Sequence, residues 1–219
     1  MIRLNREQGS PATRVRACAA FALAALFATA AVASAQGQTD EAAEALTAQI
    51  EALAARIEES PDDVELRIDI GNLYYEGNMY DQALESYLTA VEMDSTHAGA
   101  RLNLGSLYAD IGRFDQSIRE LTTAHNLDPG NAMILSNLGS AYYAAQKFDE
   151  AVDSFRHALA IDPSSIEAHF NLGVAFADAQ IFDEAIREWE KVIELGPDSD
   201  AARTCRENIQ MIEDFRSGK

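Results

Sequence analysis

Residues 137–143 read NLGSAYY. The same Asn-Leu-Gly stands at 103–105 and again at 171–173, at a spacing of 34 residues. A period of that length signals stacked supersecondary units rather than one globular pattern. Framed from Val64, four periods run to residue 199 without an insertion.

The columns of this frame have physical reasons. Position 8 is Gly71, Gly105, Gly139 and Gly173. A glycine inside a helix costs about 1 kcal/mol relative to alanine, so four in register imply that two helices cross too closely for a side chain. Position 11 is Tyr74, Tyr108, Tyr142 and Phe176, and position 24 is Tyr87, Leu121, Phe155 and Trp189. Large residues there fill the space between helices. Small residues recur at position 20 (Ala83, Ser117, Ala151, Ala185) and position 27 (Ala90, Ala124, Ala158, Val192). Position 32 is Ser95, Pro129, Pro163 and Pro197, with Pro61 one period earlier. Proline ends one helix and is tolerated in the first turn of the next. Between the two helices of each unit come NMYDQA, GRFDQS, QKFDEA and QIFDEA, whose acidic residues favour a helix N-terminus.

This pattern resembles the tetratricopeptide repeat family, over four periods of 34 that make up 136 of the 219 residues. Position 4 departs from the family's usual aromatic, being Arg67, Arg101, Leu135 and His169. The resemblance implies an all-α fold, a right-handed α-solenoid of four helix hairpins (64–97, 98–131, 132–165 and 166–199) with a concave groove.

Both ends read as capping helices. Within 36–63, residues 40–59 carry Leu46, Ile50, Leu53 and Ile57 on one stripe, suited to covering the first repeat. The alternative for that stripe is a short coiled-coil seam. Within 200–219, Ala202, Cys205, Ile209 and Ile212 share a face. Cys205 then reads as a packed small hydrophobe, the alternative being a thiol free for an intermolecular disulfide.

Residues 1–35 differ from the rest. Arg3, Arg6, Arg14 and Arg16 precede the uncharged run ACAAFALAALFATAAVA (17–33), and ASA (33–35) follows. This is the layout of a cleavable secretory signal, with cleavage expected before Gln36 and export to the periplasm or outside the cell. An uncleaved membrane anchor is the alternative, though 17 apolar residues fall short of the roughly 20 a spanning helix needs. Cleavage takes the formal charge from −19 to −22, by loss of four Arg and one Glu, and leaves Cys205 as the remaining cysteine. Such acidity argues against nucleic acid as a partner.

In the resembled family the first helix of each hairpin lines the groove, at about positions 2, 5, 6, 9, 12 and 13. Position 6 is Asp69, Asn103, Asn137 and Asn171, a polar ladder able to pair with the backbone of an extended peptide. The other reading of that column is family consensus with no binding role. Ile68, Leu102 and Phe170 at position 5, Tyr75 and Tyr143 at position 12, and Met133 at position 2 complete the candidate peptide site. The acids are Glu65, Asp69, Glu76, Asp110, Glu167 and Asp178, and no Lys or Arg occupies these inward positions. A clamp on a peptide's terminal carboxylate is thereby excluded, and a neutral or basic segment of a partner protein is expected.

No enzyme, metal or cofactor is indicated. His97, His125, His157 and His169 are scattered, none pairs with another at helical spacing, and there is no glycine-rich phosphate loop. The function expected is a non-catalytic adaptor in an envelope assembly or maturation complex. The alternative is a scaffold that assembles with itself through the N-terminal helix and the groove.

Overall fold

The computed structural model describes residues 39–218; the leader, its cleavage site and Cys18 lie outside the described residues. Among the described residues there are ten α-helices and no strand. They fall into two compact units. The first holds α1 (Thr39–Glu59), α2 (Val64–Glu76), α3 (Tyr80–Met93), α4 (Ala98–Asp110), α5 (Phe114–Leu127), α6 (Ala132–Ala144) and α7 (Phe148–Ile161). The second, beginning at Asp162, holds α8 (Ile166–Asp178), α9 (Phe182–Leu195) and α10 (Asp200–Ser217). None of these helices is long and apolar enough to cross a membrane.

Each hairpin is closed by the same turn. Position 15 takes a left-handed backbone in every repeat: Asn78 (φ 57°), Gly112 (φ 75°), Gln146 (φ 61°) and Gln180 (φ 62°). Around it the bonds are those of a Schellman motif. In the first repeat the Asn78 amide donates to the Tyr75 carbonyl (2.9 Å) and the Met79 amide to Tyr74 (2.8 Å). Three of the last four carbonyls of each of α2, α4, α6 and α8 are thus satisfied within the turn.

The opposite ends are capped by a second column. Position 34 and its predecessor are Asp63, His97, Asn131, Ser165 and Ser199, and each side chain accepts from an amide of the helix that follows. Four residue types perform one task, satisfying an amide left without a partner at a helix start. Helices α3, α5 and α9 have no such side-chain cap. Their starts are set by the Schellman turn, with Asp81, Asp115 and Asp183 in the first turn.

The glycine column has the role its spacing implies. A Cβ at Gly71 would meet the Tyr87 ring at 2.6 Å, at Gly105 the Leu121 side chain at 2.6 Å, at Gly139 the Phe155 ring at 2.6 Å, and at Gly173 the Trp189 indole at 2.5 Å. Position 8 is therefore the socket for position 24 within each hairpin. Trp189 also donates its indole N–H to the Phe170 carbonyl at 3.2 Å. Between hairpins the core continues: Tyr87 and Ala83 pack with Leu104, Leu107 and Tyr108, and Leu121 packs with Leu138 and Ala141.

Helix α1 covers the start of the stack. Ile50, Leu53 and Ile57 pack against Leu66, Ile70 and Tyr74, and a Cβ at Gly77 would lie 3.0 Å from Leu46. The apolar stripe of α1 is thus spent within its own chain. In α10, Ala202, Cys205 and Ile212 are buried and Ile209 is half-buried.

Candidate functional site

The first helices α2, α4 and α6 carry the candidate residues of the first unit. Their caps fix where each helix starts, and the glycine sockets fix how each rotates against its partner. Side chains at positions 6, 9, 12 and 13 of successive helices then meet.

They meet through hydrogen bonds. The Asn103 amide nitrogen donates to Asn72 Oδ1 at 2.9 Å, and that oxygen also accepts from the Tyr87 hydroxyl at 2.8 Å. One repeat on, the Asn137 amide nitrogen donates to Ser106 Oγ at 2.8 Å, and the Ser106 hydroxyl donates to the Leu102 carbonyl at 2.9 Å. In both cases position 6 reaches back to position 9 of the preceding repeat. Asn103 and Asn137 are ties between repeats, each with one amide face committed to the fold.

Tyr75 extends the pattern by donating its hydroxyl to Asp110 Oδ2. Burial raises the Tyr75 phenol far above its ordinary range, and the Asp110 carboxylate reinforces this. Burial also raises the Asp110 carboxyl, against the opposing effect of the Tyr75 bond. The proton stays on the phenol, and Asp110 accepts the hydrogen bond.

Between α2 and α4 lies an open pocket of about 340 Å³, lined by Asn72, Tyr75, Glu76, Tyr87, Asn103 and Ser106. A neighbouring pocket of about 380 Å³ between α1 and α2 shares Asn72 and includes Leu53, Arg56 and Asp69. Among the described residues no three His, Cys, Asp or Glu side chains come together so as to hold a metal ion.

The ten candidate residues divide by exposure. Asp69 is exposed and Met133 is 59% exposed. Tyr75, Leu102, Asn103, Asn137 and Tyr143 are half-buried, with the Tyr143 ring edge-on to Phe148 at 5.5 Å. Leu102 leans on the core formed by Leu121, Leu138 and Ala141. Three residues are not open wall, and the expectation for them is corrected. Ile68 is buried because it packs with Ala90 and Ala100, where small side chains leave room for it. Phe170 and Asn171, in the second unit, are each only 1% exposed. Their side chains are enclosed in the folded chain and offer no free surface. Of the ten, Tyr75 and Asn103 line one pocket, with Asn137 tied to its edge through Ser106.

Three pocket residues were not among the ten candidates: Asn72 and Ser106, although position 9 counts as inward, and Tyr87, expected as a filler between helices. The available signal was a polar pair spaced by 31 residues, Asn72 with Asn103 and Ser106 with Asn137.

A family model described as "TPR repeat" matches residues 71–112, 105–146 and 139–180, and one described as "Tetratricopeptide repeat" matches 166–199. Together they span more than half of the chain. No curated protein matches. Among solved structures, the chain is similar to MamA (25% identity, TM-score 0.64, covering 76% of this chain and 97% of that one). It is similar to YrrB, titled a TPR protein with an unusual peptide-binding site (24% identity, TM-score 0.60, 77% and 92% covered). It is also similar to TTC0263, a thermophilic TPR protein of Thermus thermophilus (20% identity, TM-score 0.67, 80% and 95% covered). With four repeats matched in series and their hairpin geometry in place, the chain belongs to the tetratricopeptide repeat family.

Proposed function

We propose that the chain is a non-catalytic scaffold that holds a segment of a partner protein against the face formed by α2, α4 and α6. The observation that carries this reading is the open pocket between α2 and α4, walled by Tyr75 and Tyr87 and bordered by Glu76. A helix pair that served the core alone would close over such a space. Here polar side chains tie the repeats together and leave hydrogen-bonding groups facing outward. A few apolar contacts and backbone hydrogen bonds suit an affinity in the micromolar range, about −8 kcal/mol. The acids Asp69, Glu76 and Asp110 on these helices suit a neutral or basic segment.

The proposal includes export, on the strength of the basic, apolar and small-residue layout of residues 1–35. A role in an envelope assembly follows from export and binding together. Self-assembly through α1 would lack a free apolar stripe, because Ile50, Leu53 and Ile57 pack against α2.

A photo-crosslinking residue at Glu76, compared with one at the exposed Glu85 of α3, tests the binding face in cells. Crosslinked partner from Glu76 and none from Glu85 is expected. Equal yields, or none at Glu76, would refute the face. N-terminal sequencing of the protein recovered from cells tests export, with Gln36 expected at the start and Met1 counting against it.

A further inference from the structure

We infer that the pocket between α2 and α4 receives an arginine side chain of the bound segment. This rests on the reading of that face as a docking surface and names the chemistry it selects. The Tyr87 hydroxyl proton goes to Asn72, the Tyr75 proton to Asp110, the Ser106 proton to the Leu102 carbonyl, and an amide proton of Asn103 to Asn72. Three hydroxyls are thus turned inward as donors. What these lining side chains leave unspent is mostly acceptor: Asn103 Oδ1, the lone pairs of two phenol oxygens and the Glu76 carboxylate. The amide hydrogens left on Asn72 and Asn103 are the remaining donors, enough for a main-chain carbonyl.

A pocket rich in acceptors selects a group that only donates. Guanidinium has five N–H donors in a plane and no acceptor, whereas a carboxylate or carboxamide would set acceptor against acceptor. Charge agrees. The charged residues at the inward positions of α2 and α4 are Glu65, Asp69, Glu76 and Asp110, all acidic, with Glu65 meeting His97 at 2.9 Å. Arg101 of α4 is committed elsewhere, to Glu120 at 2.6 Å and the Ser95 carbonyl at 2.8 Å. Arg56 reaches only the neighbouring pocket, beside Asp69. The tyrosine walls remove water from the planar cation, and the volume of about 340 Å³ admits a long side chain.

The test uses the folded full-length protein and a capped pentapeptide, acetyl-Gly-Gly-Arg-Gly-Gly-amide, beside its citrulline counterpart. Citrulline keeps the shape of arginine, loses the charge and gains an acceptor. Amide NMR signals of the Asn72 and Asn103 side chains are followed during titration. Saturable shifts with the arginine peptide, at about tenfold lower concentration than with citrulline, are expected. Glu76→Gln should weaken the arginine peptide several-fold and the citrulline peptide less. Equal binding of the two peptides, or no saturable shift at these signals, overturns the inference. So does concentration-dependent broadening of the same signals without peptide, which would mean that a second copy of the chain occupies the pocket. A random peptide library displayed against the same protein separates the two readings. Binders that map to this face without a basic residue overturn the arginine assignment and leave the docking surface standing. A library with no member on this face removes both.

Discussion

His169 is bonded to Glu188 at 2.7 Å through Nδ1, while its Nε2 faces the Pro163 carbonyl at 3.1 Å. Both partners are acceptors, so only the imidazolium, with two N–H donors, satisfies both. Two repeats earlier Arg101 makes the same links, to Glu120 at 2.6 Å and the Ser95 carbonyl at 2.8 Å. Position 4 thus clamps the first helix to position 23 of the second and to the preceding inter-repeat turn. The second and fourth repeats use two different cations for the task.

That difference makes one clamp sensitive to pH. The Glu188 bond raises the pKa of His169, with burial opposing and Lys191 lowering it, and Asp162 also lies near enough to feel its charge. A raised folded-state pKa means that the stabilisation is fully present below the ordinary histidine value of 6.5 and is lost as pH rises through the folded value. Replacing His169 by Arg should leave the melting temperature nearly unchanged at pH 5.5 and raise it by a few degrees at pH 9, as about 1 kcal/mol is restored. Parallel loss in both proteins between those pH values would show that other groups dominate.

The glycine socket sets a second expectation. Alanine at Gly139 gains about 1 kcal/mol of helix propensity, but its methyl would enter the Phe155 ring at 2.6–3.0 Å. Phe155 is fully buried and cannot swing aside, so overpacking of about 1–3 kcal/mol outweighs the gain. Gly139→Ala should be destabilising in urea titration, whereas Gly130→Ala, where nearby space is open, should stay within about 0.5 kcal/mol of the parent.

Much of this was legible because the demands at those positions select residue types. A close crossing admits only glycine, and filling the gap beyond it needs Tyr, Leu, Phe or Trp, so positions 8 and 24 stand out in the sequence. The helix caps were harder to see. Asp63, His97, Asn131, Ser165 and Ser199 share an acceptor atom and no other property, so the column has a function but no common residue type. The candidate site was legible as a column of asparagines and illegible as a network. The partners of Asn103 and Asn137 lie 31 residues upstream, a spacing that becomes meaningful once the helices are in register. Position 5 shows the limit of transferring a family position. Ile68 is buried and Leu102 half-buried, because what covers each depends on the size of its neighbours.

Turn strain is open to direct test. Gln146 holds a left-handed backbone that Gly112 occupies without steric cost in the preceding repeat. Gln146→Gly should stabilise by up to about 1 kcal/mol, net of the greater freedom of glycine in the unfolded chain. Gly112→Ala should destabilise by about 1 kcal/mol. Opposite signs for the two substitutions in thermal unfolding would support the shared Schellman turn, and like signs would contradict it.

The inter-repeat tie between Asn103 and Asn72 can be measured as a coupling. Asn103→Ala should lose about 1 kcal/mol, the net value of one half-buried hydrogen bond, and Asn72→Ala more, because its Oδ1 also accepts from the Tyr87 hydroxyl. The double variant should lose less than the sum, with an interaction energy of about 0.5–1 kcal/mol. Strict additivity would mean that the bond contributes nothing to the coupling of the first two repeats. The cycle also guards the binding tests, since loss of affinity in Asn103→Ala mixes a missing contact with a loosened repeat.

Cys205 supplies the last expectation. It is fully buried in α10, and burial pushes its thiol up to about 12, with the adjacent Arg206 opposing. The thiolate is the reactive form, so at pH 8 the native protein presents roughly one part in 10,000 of it, and that behind packed side chains. Labelling by a disulfide reagent should therefore proceed at the rate of unfolding and accelerate with urea in step with the loss of helical signal. Rapid stoichiometric labelling of the native protein, or a disulfide-linked dimer on a non-reducing gel under native oxidation, would show that α10 detaches readily. The thiol would then be available to another molecule.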